Sequence, residues 1–226
     1  MISHLQPSGQ RRVFRRHQYL VHENEVPDAV LRIDGGWACR FCLLLDGRRQ
    51  ITALYLPGDL CEPQWALGYR PSQPVRALTT VSATPLSLRP RTSHPEEMER
   101  NLWASMAQTL ERQAEWLVSL GRKNASERVA SLLCDVYSRM ARFGQTHAQQ
   151  CAMPLTQIDI ADLTGLTPVH VNRTLKLLRA RGLIDLRSRW LRITDLPGLR
   201  TMALYGPDGD ASCGAEAGEA RRKRRA

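Results

Sequence analysis

The sequence predicts an α+β chain in which a β-rich N-terminal part, a long helix and a C-terminal winged helix-turn-helix follow one another. Three observations carry this reading. Residues 13–90 hold short runs of alternating apolar and polar side chains punctuated by Gly and Pro. An apolar stripe then repeats at 4-3-4-3 spacing from Met106 to Leu120. The block LTQIDIADLTGLTPVHVNRTLKLLRARGLIDLRSRWLRI, Leu155 to Ile193, reads as two short helices, a tight turn, a longer basic helix and a small hairpin.

The first part, residues 1–92, is justified by its turns. In WACRFCLLLDGRRQITALYLPGD one alternating run starts at Trp37, Asp46-Gly47 marks a hairpin turn, and a second run spans Ile51 to Leu56. Pro57-Gly58-Asp59 marks another turn, and VRALTTVSATPLSL, from Val75 to Leu88, supplies further strands. Many short strands of this kind fit a sandwich, a barrel or a jelly roll.

Residues 93–121 read as one helix. Ser93-His94-Pro95-Glu96 has the pattern of a capping box, serine at N-cap and glutamate three residues on, so the helix runs from Pro95 to Leu120. Met106, Leu110, Gln113, Leu117 and Leu120 form the stripe, and Leu102, Trp103, Ala114 and Trp116 widen it. A two-stranded seam between two copies of the chain would bury such a face, so these residues are assigned to dimerisation. Gly121-Arg122-Lys123-Asn124 is the hinge candidate, although Ser126 to Arg128 could continue the helix through it. A second helix spans Ala125 to Phe143, and residues 144–153 are expected to be a loop.

The last ordered unit, residues 122–204, holds the basic block. Thr156 caps its first helix, with Asp159 at N3; Gly165 sits at the sharp turn, where positive φ is needed. Thr167 caps the second helix and Pro168 takes its first position, where the missing N–H is not required. That helix runs to about Ala180, Gly182 ends it, and the wing follows as Leu183–Leu186, a turn at Arg187-Ser188-Arg189, and Trp190–Ile193. Residues 167–192 carry seven basic side chains against one acidic, within a chain of net charge +10. The strongest local charge therefore lies on the helix-turn-helix, which makes double-stranded DNA the leading partner. N-terminal residues of a helix in the major groove reach base edges, which nominates Pro168, Val169, His170 and Arg173. Thr156, Gln157, Thr167, Asn172, Lys176, Arg187 and Arg189 are candidates for the DNA backbone. Residues 205–226 are rich in Gly, Ala and charge, end in a basic run from Arg221 to Arg225, and are expected to be disordered.

Other classes find little support. No apolar run approaches the ~20 residues of a membrane span, and MISHLQPSGQRRVF lacks the apolar segment of a signal peptide. A cytoplasmic location without membrane contact is expected, and there the six scattered cysteines argue against a disulfide framework. No HExxH, Walker or GxSxG pattern points to an enzyme, so no catalytic residue is assigned. Cys151, just ahead of the basic block, is a candidate redox handle.

LPGD at 56–59, RALT at 76–79, ASERVASLL at 125–133 and the basic block together resemble the cyclic-AMP receptor and fumarate-nitrate-reduction regulator (Crp/Fnr) family of bacterial transcription factors. The resemblance covers about residues 13–202. The form T-P-V-H-V-N-R, Thr167 to Arg173, looks more like the rhizobial nitrogen-fixation regulators than like either named prototype. It implies a jelly roll resembling cyclic-nucleotide-binding domains, a homodimer on a near-palindromic promoter site, and activation through RNA polymerase. Departures from the pattern matter as much. Where cyclic-nucleotide binders carry a Gly-Glu pair, this chain has Glu62-Pro63, and where they carry Arg-Ser or Arg-Thr it has Pro71-Ser72, with Arg70 adjacent. The iron–sulfur members use an N-terminal cysteine cluster, whereas no cysteine precedes Cys39 here, and lone His17 and His22 define no haem site. No cofactor or metal is therefore assigned. Val169 replaces the prototypes' reading glutamate, whereas Arg173 matches their arginine. The sequence leaves open a repressor, or an effector-gated regulator using an unidentified small ligand or haem.

Overall fold

The computed structural model describes residues 9–86 and 95–205. The expected capping residues Ser93 and His94, the end of the strand run at Ser87-Leu88, and the tail from residue 206 onward, including Arg221–Arg225, lie outside the described residues. Among the described residues no helix is long and apolar enough to cross a membrane.

Among the described residues eight strands build the N-terminal part: β1 (Arg12–Phe14), β2 (Tyr19–Val21), β3 (Val30–Gly35), β4 (Ala38–Leu43), β5 (Arg49–Tyr55), β6 (Leu60–Cys61), β7 (Val75–Ala77) and β8 (Val81–Leu86). They form two antiparallel sheets, ordered β1-β8-β3-β6 and β2-β7-β4-β5, which makes this a jelly roll. Its interior is mostly apolar, with Ile33, Ala38, Val75 and Val81 at 0% exposure. The β4–β5 hairpin turns at Asp46-Gly47 as read from sequence; Gly47 has φ +85°, and the Asp46 carboxylate accepts the Arg48 N–H at 3.0 Å.

The helical part comprises α1 (Pro95–Arg122), α2 (Ala125–Arg142), α3 (Gln157–Thr164), α4 (Pro168–Ala180) and α5 (Leu196–Met202). The hinge is shorter than expected, because Gly121 and Arg122 remain helical. The break comes at Asn124, whose side chain accepts the Ser126 and Glu127 N–H groups at 3.0 and 3.1 Å while Glu127 accepts the Asn124 N–H at 2.8 Å. This reciprocal cap starts a new helix, so Ser126 to Arg128 do not continue the old one. A second correction falls in the expected loop 144–153. Gln150–Ala152 is a strand, β9, which pairs with β11 (Trp190–Ile193), itself paired with β10 (Ile184–Arg187), so the wing is a three-stranded sheet.

The stripe on α1 divides. Leu110 and Leu117 are 66% and 72% exposed, whereas Met106, Gln113 and Leu120 are half-buried. Trp103, 58% exposed, extends the line of Leu110 and Leu117 at seven-residue intervals.

A second core runs from Phe41, Ile51 and Leu54 on the jelly roll, through Val129, Leu133 and Val136 of α2, to Ile160, Leu163 and Leu178 of the helix-turn-helix. LPGD is the post on which α2 docks. Gly58 has φ +94°, and a Cβ there would lie 2.2 Å from the Phe143 ring. Asp59 accepts the Leu56 N–H at 2.7 Å and pairs with Arg139 of α2 and Arg112 of α1. Burial opposes the Arg139 charge, but the carboxylates of Asp59 and Asp135 outweigh it and raise the pKa. Removing one partner of a buried pair leaves the other charge uncompensated.

Candidate nucleic-acid interface

The recognition unit forms where local sequence places it. Thr156 and Asp159 exchange hydrogen bonds at the start of α3, with the Asp159 N–H reaching Thr156 Oγ1 at 3.1 Å and Thr156 N–H reaching the carboxylate at 3.0 Å. Gly165, φ +64°, closes α3. Thr167 Oγ1 accepts the His170 N–H at 3.3 Å and Pro168 opens α4. Val171, Leu175 and Leu178 are buried beneath this helix.

The opposite side of α4 is open. Val169 is 68% exposed, and Pro168, His170, Arg173 and Lys176 are exposed beside it. Gln157, Pro168, Val169, Asn172, Arg173 and Lys176 border one depression of about 410 Å³. Asn172 Nδ2 donates to Gln157 Oε1 at 3.2 Å, tying the start of α3 to α4 across its floor. The fold thus gathers three of the base-reading candidates and three of the backbone candidates in one place. Thr156 and Thr167 sit at the adjoining helix starts with their side chains committed to capping. Arg187 and Arg189 stand on the wing instead. The turn there is Ser188-Arg189 alone, both with positive φ (49° and 64°), as a two-residue hairpin loop of the type I′ kind demands. Arg187 is on β10 and donates to Asp185 at 2.9 Å.

Sequence reasoning missed one residue at this unit. Arg49, on β5, donates from Nε to Asp162 at 2.6 Å and from Nη2 to Asp159 at 2.7 Å. Nothing in the local pattern marks Arg49, because its partners lie more than a hundred residues away. Burial raises the pKa of Asp159, but hydrogen bonds from Thr156 and Arg49 outweigh it and hold the carboxyl below its ordinary value.

Cys151 lies on β9 at 0% exposure, and burial pushes its thiol up to about 11. A redox handle needs an accessible thiolate, so its placement argues against that assignment. Among the described residues no three His, Cys, Asp or Glu side chains come together to hold a metal.

The jelly roll interior supplies its own polar partners where a nucleotide binder would meet a ligand. Glu62, buried, receives Arg40 Nη1 at 2.8 Å on both oxygens, with further hydrogen bonds from Tyr55 and Gln64. Arg40 Nε reaches Thr52 at 3.0 Å. Arg70 is exposed on the surface, so that cation lies outside the roll, while Pro71 is buried. The donor set does not fit a cyclic phosphate, whose negative charge would be buried beside the Glu62 carboxylate that already takes up Arg40.

Comparison with known proteins gives a consistent picture. The model of the Crp-like helix-turn-helix domain matches residues 127–202. The chain is 35% identical over 197 residues to the nitrogen fixation regulation protein FixK of Azorhizobium caulinodans, covering 86% of this chain and 79% of that one. It is 33% identical over 181 residues to the transcriptional activatory protein AadR of Rhodopseudomonas palustris, covering 78% and 74%. The structure of FixK2 from Bradyrhizobium japonicum superposes with a TM-score of 0.74 at 27% identity, covering 91% and 98%.

Proposed function

Because the chain belongs to the Crp/Fnr family of DNA-binding transcription regulators, which are not catalysts, we propose that it is a homodimeric activator of a near-palindromic promoter site. In this reading it contacts RNA polymerase and acts without a cyclic nucleotide, in oxygen- or redox-linked gene control. The observation that carries the reading is the depression bordered by Gln157, Pro168, Val169, Asn172, Arg173 and Lys176 on the open side of α4. An open helix face with apolar Val169 one turn before Arg173 suits a major groove, where arginine pairs with guanine and valine meets a thymine methyl. His170 adds a donor at the groove, Gln157, Asn172, Lys176, Arg187 and Arg189 approach phosphates, and the helix starts at Thr156 and Thr167 offer backbone N–H groups there. The exposed line Trp103, Leu110 and Leu117 on α1, flanked by Met106, Gln113 and Leu120, supports pairing of two chains. Independence from cyclic nucleotide rests on the Arg40–Glu62 pair filling the roll. The activating role rests on the name of AadR, and the oxygen link on the likeness, 22% identical over 192 residues, to the anaerobic regulatory protein of Haemophilus influenzae.

A second reading has one observation behind it. A cleft of about 590 Å³ opens between α1, α2 and β5, bordered by Tyr55, Trp116, Lys123, Arg128 and Tyr205. Its largely apolar lining, with cationic and acidic side chains (Glu111, Glu115 and Asp135) at the edges, suits a small effector that would gate DNA binding.

One experiment separates the two. Purified protein selects sequences from a randomised duplex pool, under reducing and under oxidising conditions. Enrichment of a two-fold symmetric site without any additive supports the first reading. Failure to enrich until a small molecule is supplied supports the second, and failure under every condition removes both.

A further inference from the structure

The ion pairs of Arg49 join parts of the molecule with separate tasks. Arg49 closes the β4–β5 hairpin of the jelly roll, while Asp159 and Asp162 lie on the first helix of the recognition unit. One guanidinium grips both carboxylates, each through a different nitrogen, at 2.6 and 2.7 Å. The three side chains are 16%, 11% and 19% exposed, so solvent and salt screen them little. Beside them Gln50 Nε2 donates to the Leu163 carbonyl at 3.4 Å.

The grip falls on the back of α3. At 3.6 residues per turn, Asp159 lies roughly 200° and Asp162 roughly 140° around the helix from Gln157. Gln157 is exposed and borders the reading depression, while Asp159 is 8% exposed and turned to the jelly roll. The contact therefore leaves the DNA face free. It also does what the shared apolar core cannot. Apolar burial is non-directional and permits sliding, whereas a planar fork held by two carboxylates fixes the rotation of a helix of eight residues.

We propose that Arg49 is a positioning residue for DNA reading: its paired contacts with Asp159 and Asp162 set the orientation of α3, and through it α4, relative to the jelly roll. The proposal rests on the DNA-binding reading above. Two reading helices, one per subunit, must meet half-sites one helical turn apart, ~34 Å. Each jelly roll orients its own helix-turn-helix partly through this fork, so the fork contributes to that separation. Without it the two units rotate more freely, and the dimer tolerates half-sites at other spacings.

The test compares wild type with Arg49→Gln and with Asp162→Asn, which leaves the Asp159 cap in place. The probe is the duplex enriched by wild type, with a second duplex carrying one extra base pair between its half-sites. Wild type is expected to bind the spaced-out duplex on the order of tenfold more weakly, and both variants to lose most of that discrimination. Arg49→Lys, a point charge in place of a fork, should fall between. Circular dichroism melting checks that each variant still unfolds cooperatively. A variant that folds and keeps wild-type affinity and spacing preference overturns the proposal. A DNA-free reading runs alongside, in which limited trypsin cleavage after Lys123 at the α1–α2 break is followed by mass spectrometry. Faster cleavage in both variants supports the fork, and unchanged cleavage overturns it. If wild type enriches no duplex, the DNA reading itself fails, and the cleavage result alone decides the role of Arg49.

Discussion

Arg173 stands one helical turn after Val169 on the open side of α4, with Lys176 nearby on the rim of the same depression. Their chemistry separates their roles. A bidentate arginine–guanine pair carries about 1–3 kcal/mol of discrimination, whereas a phosphate contact weakens all sequences alike. Arg173→Ala is expected to bring preferred and altered duplexes closer in affinity, and Lys176→Ala to weaken both equally while lowering the salt slope by about one. Fluorescence anisotropy across a salt series reads both. Cys151 belongs at this scale too. With its thiol pushed up to about 11 by burial, iodoacetamide near neutral pH should label the Cys151 peptide on the order of a hundredfold more slowly in the folded chain than in urea. Prompt labelling of the folded protein would restore it as a redox handle.

Among the elements, those with local signals were legible in the sequence. Thr167-Pro168 and Gly182 bracket α4 as expected, and Thr156 with Gly165 brackets α3. Elements defined by distant partners were not. β9 is a strand because Cys151 pairs with Leu191 forty residues on, and Gln150 to Ala152 alone has no strand length to announce it. The hinge was misplaced because glycine is a weak helix breaker when flanked by good helix formers, while the asparagine cap decides the break. Two expectations belong here. Asp159 is held below its ordinary value of 3.8. A carboxylate depressed in the folded state stabilises above its unfolded pKa, and that share is lost as pH falls through the depressed value. Resistance to urea should therefore fall below about pH 4, and Arg49→Gln should shrink this acid-sensitive share. On α1, Leu110→Arg with Leu117→Arg should yield monomers in sedimentation velocity that still unfold cooperatively, because both side chains are more than half exposed in the single chain. Dimers that persist would move the interface elsewhere.

Across the whole molecule, charge and packing divide the labour. Basic side chains crowd onto residues 167–192, and a continuous apolar core with two ionic ties, Asp59–Arg139 and Arg49–Asp159/Asp162, joins that region to the jelly roll. The class of the molecule was legible because helix caps and turn glycines are local. The coupling between its parts was not, because Arg49 and Arg139 find their partners only after folding. The state of the jelly roll was half legible. The absence of the usual cation was visible in Pro71-Ser72, but the use of Arg40 to neutralise Glu62 required the strands to bring them together. The measurement that bears most directly on the central claim is the affinity of the purified protein, without additives, for the enriched symmetric duplex and for a scrambled duplex of equal length, across a range of salt. The account expects the symmetric duplex to bind on the order of a thousandfold more tightly, with both affinities falling steeply as salt rises. Equal affinity for the two duplexes at every salt concentration would contradict it.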